Sequence, residues 1–94
     1  MATVRFLGAL RQVAGADTLE TIEAPTVADL LGRLTGRLGA GFATALFPGG
    51  ELDPDIEILV NGRNIHFSGG LGTRLAPSDE VTLFRHGARG FPGG

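Results

Sequence analysis

The sequence predicts an α+β domain in which one main helix packs on one face of a mixed β-sheet. Segments near both ends of the chain, residues 3–7 and 80–84, alternate apolar and polar side chains as strands do. Between them, residues 27–38 repeat apolar side chains at helical spacing, and Asn61-Gly62 is the strongest short signal for a hairpin. The 94 residues suffice for one hydrophobic core and are too few for two.

The N-terminal part is predicted to form a hairpin of two strands. Residues 3–7 are rich in β-forming side chains, so the first strand begins almost at the start of the sequence. Residues 18–23 are the second strand, although their alternation is imperfect. The segment between them contains Gly15 and is predicted to be a loop.

The main helix is predicted to begin after Thr26. Pro25 closes the preceding strand, and Asp29 stands three residues after Thr26, where a capping box places an acid. Five apolar residues follow with the spacing that puts them on one helix face, which must be buried against the sheet: Val27, Leu30, Leu31, Leu34 and Leu38. Gly39 and Gly41 end this helix, and residues 41–47 are expected to form only a short extra turn.

The remaining strands follow a turn at residues 48–50. Residues 56–60 alternate as a strand, and a short return strand at 63–65 follows the Asn61-Gly62 turn. Residues 68–73 are predicted to be a flexible loop, and residues 80–84 form the last strand. The first and last strands are expected to pair in the middle of the sheet, which is a β-grasp arrangement. The predicted organisation is a body at residues 1–84 and a flexible tail at residues 85–94.

Composition argues against several classes of function. The net charge is −2 with no basic stripe, so nucleic-acid binding is not expected. The sequence has neither a signal pattern nor an apolar run of the roughly 20 residues that a membrane span needs, so we expect a cytoplasmic protein without membrane association. Cysteine is absent, which excludes disulfides and thiolate metal sites.

No catalytic or metal-binding constellation can be assembled from the sequence. His66 and His86 stand apart, without neighbouring carboxylates, and are assigned structural roles. Asp53, Asp55 and Glu57 alternate, but they lack the further ligands and the glycine of a calcium loop, so we interpret them as solvated residues. We therefore expect no metal site, no bound cofactor and no catalytic residue in this chain.

The last four residues, Phe91-Pro92-Gly93-Gly94, carry the strongest functional signal. Because glycine has no Cβ, this end is thin enough to enter a narrow channel and present the Gly94 carboxylate to another protein. The same four letters at residues 47–50 run on into Glu51 and are predicted to form a turn. An ionised carboxylate is a poor electrophile. Adenylation by an ATP-using partner would activate it, and a sulfur donor could then convert it into a thiocarboxylate.

In these features the chain resembles the ubiquitin-like sulfur-carrier family, specifically the small subunit of molybdopterin synthase and its archaeal-type and cysteine-biosynthetic relatives. The matching segments follow in order along nearly the whole chain: residues 4–7, 13–15, 26–31, 58–65, 67–71, 75–83 and 93–94. The resemblance implies a β-grasp fold and adenylation of Gly94 by an E1-like enzyme that consumes ATP. It further implies a Gly94 thiocarboxylate that donates sulfur inside a partner such as the molybdopterin synthase large subunit.

One segment departs from the family pattern, because residues 85–92 lengthen the tail and add basic residues. We expect a partner channel deeper than usual, which Phe91, Pro92 and Gly93 would enter ahead of Gly94. A second hypothesis concerns docking. If Val4, Phe6, Val81 and Leu83 face the helix, the alternating residues Leu7 and Phe84 lie on the outer sheet face. There they could form an apolar contact with a partner.

Three alternatives remain open on the sequence alone. The sulfur could serve cysteine, thiazole or another product instead of molybdopterin. The activated Gly94 could instead be joined to a lysine of a target protein, as in a ubiquitin-like modifier. The domain could also be an interaction module whose diglycine is incidental. All eight basic residues are arginines, so self-conjugation would be limited to the α-amino group.

Overall fold

The computed structural model describes residues 2–15 and 18–85, with the backbone alone described at 18–22. In chain order the strands are β1 (Ala2–Phe6), β2 (Thr18–Ile22), β3 (Ile56–Val60), β4 (Arg63–Asn64) and β5 (Glu80–Arg85). The helices are α1 (Ala9–Ala14), α2 (Val27–Leu38) and α3 (Ala40–Leu46). Two 3₁₀ segments, Ile65–Phe67 and Gly70–Gly72, lie between β4 and β5.

Within the described residues, five strands form one mixed sheet in the order β2-β1-β5-β3-β4. β1 and β5 pair in parallel, with Thr3 opposite Glu80 and Phe6 opposite Leu83. The other neighbours are antiparallel, including the predicted hairpin of β1 and β2. The expectation that the first and last strands meet at the centre of the sheet is confirmed, and the fold is the predicted β-grasp.

The core lies between one face of this sheet and the helices. Alternate residues of the central strands are buried, as their parity predicted: Val4, Phe6, Ile56, Ile58, Val81 and Leu83. The helices α1, α2 and α3 each contribute side chains to the same core: Leu10, Val27, Leu30, Leu31, Leu34, Phe42 and Leu46. The rings of Phe6 and Phe42 meet edge to face with centroids 5.6 Å apart, which joins β1 directly to α3.

The start and end of α2 follow the sequence prediction. The Thr26 hydroxyl accepts a hydrogen bond from the Asp29 amide at 3.2 Å and donates one to the Asp29 carboxylate at 2.9 Å. This satisfies one of the amides that a helix N-terminus leaves without an intrahelical partner. At the other end Gly39 has φ of +95°, a conformation that disfavours any side chain. The chain therefore turns sharply from α2 into α3.

Two predictions of local structure were wrong. The segment predicted as a loop around Gly15 contains α1, which has no side-chain cap and buries only Leu10. The short turn expected at residues 41–47 is the helix α3, which buries Phe42 and Leu46 one turn apart. Both helices are too short to show a clear period, and glycine disfavours helix, so propensity gave the wrong answer while packing against the core decided the structure.

Smaller differences occur after β3. Asn61 and Gly62 both have positive φ, 52° and 84°, as the predicted two-residue turn requires. The return strand ends at Asn64, because Ile65 begins a 3₁₀ segment and turns its side chain into the core. β5 extends one residue beyond the predicted 80–84. No helix in the described part of the chain is long and apolar enough to span a membrane.

Candidate functional site

The sheet face opposite the helices carries exposed and partly exposed side chains. Across its middle runs one row of paired residues from four strands, each at least partly exposed: Arg5, Thr82, Leu59 and Asn64. Arg5 lies 3.9 Å from the Glu80 carboxylate, and Asn64 donates a 2.6 Å hydrogen bond to Glu57. The row combines apolar, polar and charged groups.

Leu7 and Phe84, the predicted docking pair, lie where β5 ends. The Leu7 amide donates to the Leu83 carbonyl at 3.0 Å, so the chain continues alongside β5 for one residue beyond β1. Leu7 is 45% exposed, while Phe84 is half-buried and pairs with Glu57. Phe84 alternates with the buried Leu83, which places it on the outer face. Their role in docking stays a prediction.

Sequence reasoning missed a further apolar side chain near this end of the sheet. Val13 is 45% exposed and belongs to α1, the helix that packs against β5. Because the segment was predicted to be a loop, no face could be assigned to it. An apolar pattern of only six residues leaves too little signal to separate the buried Leu10 from the exposed Val13.

The end of β5 is held by a polar contact that sequence reasoning also missed. Arg85 Nη1 lies 2.8 Å from Asp53 Oδ2, and Arg85 Nη2 donates to the Ala45 carbonyl at 3.2 Å. The two charged side chains are 34% and 16% exposed, so solvent screens this pair less than it screens an ion pair on an open surface. Asp53 is therefore a structural partner of β5 and not simply a solvated residue.

The remaining candidates within the described residues form no metal cluster. In residues 2–15 and 18–85, no group of three or more His, Asp or Glu side chains could hold a metal ion. His66 is exposed and meets Phe67 edge to face, beside a groove of about 480 Å³ that Ile65 and Leu71 help to line. His86 and the predicted reactive residues Phe91, Pro92, Gly93 and Gly94 lie outside the described residues.

Known proteins match the chain over most of its length. The model of the ThiS family matches residues 4–88. Small archaeal modifier protein 3 of Haloferax volcanii is 32% identical over 83 residues, covering 86% of this chain and 89% of that protein. A candidate sulfur carrier protein of Archaeoglobus fulgidus is 40% identical over 58 residues, which span 62% of this chain and 66% of that protein.

Solved structures agree with both the fold and the family. Small archaeal modifier protein 1 of Methanosarcina acetivorans superposes with a TM-score of 0.85 at 30% identity, covering 95% of each chain. The complex of BexX and CysO from Amycolatopsis orientalis contains a chain that matches with a TM-score of 0.77 at 27% identity, covering 90% of this chain and 94% of that one. These neighbours are ubiquitin-like proteins.

Proposed function

Because the chain belongs to the ThiS family of ubiquitin-like sulfur carriers and modifiers, we propose that it carries sulfur as a thiocarboxylate on Gly94. The observation that supports this most is the family match, which covers residues 4–88. The chain is then the substrate of other enzymes, and it supplies a presented carboxylate instead of a catalytic group.

The chemistry has two steps. An E1-like partner joins the Gly94 carboxylate to the AMP moiety of ATP and releases pyrophosphate. A sulfur donor such as a persulfide then attacks the acyl carbon and AMP leaves, so that one oxygen is replaced by sulfur once the donor's sulfur–sulfur bond has been reduced by a thiol. The body contributes a rigid platform, and the side-chain-free Gly93-Gly94 backbone allows entry into the partner's active site.

The outer sheet face is the surface we propose for these partners. It carries Leu7 at 45% exposure and the half-buried Phe84, next to the strand from which residues 86–94 continue. An apolar contact at this place would hold the partner's active site within reach of Gly94. Because the charged Arg5 and Glu80 lie on adjoining strands of the same sheet, they could help to fix the register of the complex.

For the acceptor we propose the pterin precursor of molybdopterin, with the molybdopterin synthase large subunit as partner. Cysteine and thiazole synthesis are the competing acceptors, and the similar proteins fit each of them equally. Incubating the thiocarboxylated chain separately with each candidate acceptor enzyme distinguishes them. The acceptor is the one with which the thiocarboxylate returns to a carboxylate and sulfur appears in the small-molecule product.

A second candidate function is protein modification, favoured by relatives that are named small archaeal modifier proteins. In this reaction an amine of a target protein attacks the activated Gly94 and forms an amide. The sequence contains arginine but no lysine, so chains built through its own lysine side chains are impossible. Each modified lysine of a target would therefore carry one copy, unless the α-amino group of that copy were itself modified.

Mass spectrometry separates the two functions. The native protein is first weighed intact to establish that Gly94 carries the terminal carboxylate, and is then incubated with its E1-like enzyme, ATP and a sulfur donor. A product heavier by the difference between sulfur and oxygen supports sulfur carriage, whereas a covalent adduct with a whole protein supports modification. A Gly94 carboxylate that stays unchanged, with no release of pyrophosphate, would contradict both.

A further inference from the structure

We propose that Arg85 is a positioning residue for the delivery of Gly94 to a partner enzyme. Its contacts with Asp53 and Ala45 hold the end of β5, from which residues 86–94 continue, against the body. The inference rests on the proposed function, since positioning matters only if Gly94 is delivered to a partner. It concerns residues within the described structure, and neither the family match nor the similar proteins assign this role to Arg85.

The end of β5 needs an additional attachment because its pairing becomes one-sided. On one side, β5 pairs with β1 only as far as Leu83, and the Leu7 amide makes the last hydrogen bond there. On the other side, pairing with β3 continues to Arg85, which lies opposite Ile56, the first residue of that strand. Strand ends held by a single neighbour open more readily than strand centres.

The side chain of Arg85 supplies that attachment from the core side of the sheet. Val81 and Leu83, at alternate positions before it, are completely buried, so Arg85 has the parity that points toward the helices. Its planar guanidinium presents separate donors, and two of them reach separate acceptors, Asp53 Oδ2 at 2.8 Å and the Ala45 carbonyl at 3.2 Å. One side chain thus joins β5 to a loop and to a helix.

Both acceptors are themselves fixed. The Asp53 amide donates to the Leu46 carbonyl at 2.7 Å, and Asp53 Oδ1 accepts from the Asp55 amide at 2.9 Å, which orients the carboxylate. Ala45 lies in the last turn of α3, where carbonyls lack intrahelical partners and a cation is favoured. That turn contains no basic residue of its own, so Arg85 provides the cation from another element.

The contacts of Arg85 with Asp53 and Ala45, which we call the anchor of β5, affect the direction in which residues 86–94 leave the body more than the length of chain that is free. With Arg85 fixed, residues 86–94 extend at most about 30 Å from the body. If β5 opened back to Leu83, two more residues would become free, and the effective concentration of Gly94 at a matched site would fall only about 1.4-fold. A larger effect on the reaction therefore has to come from the lost orientation of residues 84–85 at the end of β5, which a partner must restore on binding.

Without the Arg85 contacts, the partner must order the end of β5 when it binds. Because this free-energy cost falls on the binding step, loss of the contacts raises KM and leaves kcat unchanged. The variants are Arg85→Met, which removes the cation, and Asp53→Asn, which keeps the shape of its partner. Arg85→Lys keeps the charge without the planar fork. Arg33→Gln, an exposed position on α2, is the matched control.

Two measurements are made on each variant. Pyrophosphate release by the E1-like enzyme gives KM and kcat, and the rate of amide hydrogen exchange at residues 84–85 in the free protein shows how firmly the end of β5 is held.

We expect Arg85→Met and Asp53→Asn to raise KM at least threefold at constant kcat and to speed exchange at residues 84–85 but not at Val81. Arg85→Lys should recover part of the KM, and Arg33→Gln should match the wild type. A wild type that reacts, with KM unchanged in Arg85→Met and Asp53→Asn, overturns this inference alone. A wild type that is never activated overturns the proposed function and this inference with it, while the exchange data still show whether Arg85 anchors β5.

Discussion

Replacing Phe42 with alanine tests whether α3, which the sequence did not predict, is part of the core. Phe42 is 1% exposed and its ring meets Phe6 edge to face at 5.6 Å. Truncating a buried phenylalanine costs about 3–5 kcal/mol through lost transfer energy and the cavity left behind. A domain of this size has a free energy of unfolding of about 5–14 kcal/mol, so Phe42→Ala removes a large fraction of it.

The assay is urea unfolding followed by far-UV circular dichroism, with Phe67→Ala as the matched control. Phe67 is 70% exposed, and the same truncation there should change the free energy of unfolding by no more than about 0.5 kcal/mol. If Phe42→Ala leaves too little folded protein, Phe42→Leu keeps most of the volume and should cost about 1–2 kcal/mol, including the lost ring contact. Equal losses for Phe42→Ala and Phe67→Ala would refute the packing of α3 described above.

Further predictions concern the docking face, the N-terminal cap of α2, the β3–β4 turn and the C-terminal residues. Phe84→Glu should raise the Kd for the E1-like partner at least about tenfold while the circular dichroism spectrum is retained, as expected for an interface anchor; unchanged binding would exclude this face. Thr26→Ala should lower the free energy of unfolding by about 1 kcal/mol through the lost α2 cap, measured by thermal unfolding. At the β3–β4 turn, the Asn61 side chain donates to the Asp79 carboxylate and accepts from the Glu80 amide, each at 2.9 Å. Asn61→Ala and Asn61→Gly both remove these bonds, but Asn61→Ala should cost about 1 kcal/mol more, because only the alanine is strained at positive φ; equal losses would assign the role of Asn61 to these side-chain bonds alone. Deleting residues 87–90 should impair sulfur transfer more than adenylation, and equal effects on the two rates would argue against a deep acceptor channel.

The elements that were predicted correctly from the sequence are those with a strong local period. α2 repeats apolar residues over three turns behind a capped N-terminus, and the strands alternate over five or six residues. The short helices α1 and α3 lack such a signal: Gly8 and Gly15 flank α1, and α3 follows Gly39 and contains Gly41. They exist because Leu10, Phe42 and Leu46 are buried between the sheet and α2, which is a tertiary effect that local propensity does not contain.

The same distinction holds for the candidate site. Strand parity alone placed Phe84 on the outer face, because one register decides the orientation of every residue in a strand. The anchor of β5 could not be predicted, since Arg85 and Asp53 are 32 positions apart and a single pair leaves no periodic trace. The chemistry assigned to Gly94 rests on the tail sequence and the family, and it stays a prediction.

The central position of β5 has a mechanical consequence. A protein that grips residues beyond Arg85 and pulls transmits its load along β5, which has hydrogen-bonded neighbours on both sides up to Leu83. Under such a load many inter-strand bonds are stressed together in shear, whereas a strand peeled from a sheet edge would lose them one at a time. Tension from a partner is therefore resisted by the best-supported strand of the domain.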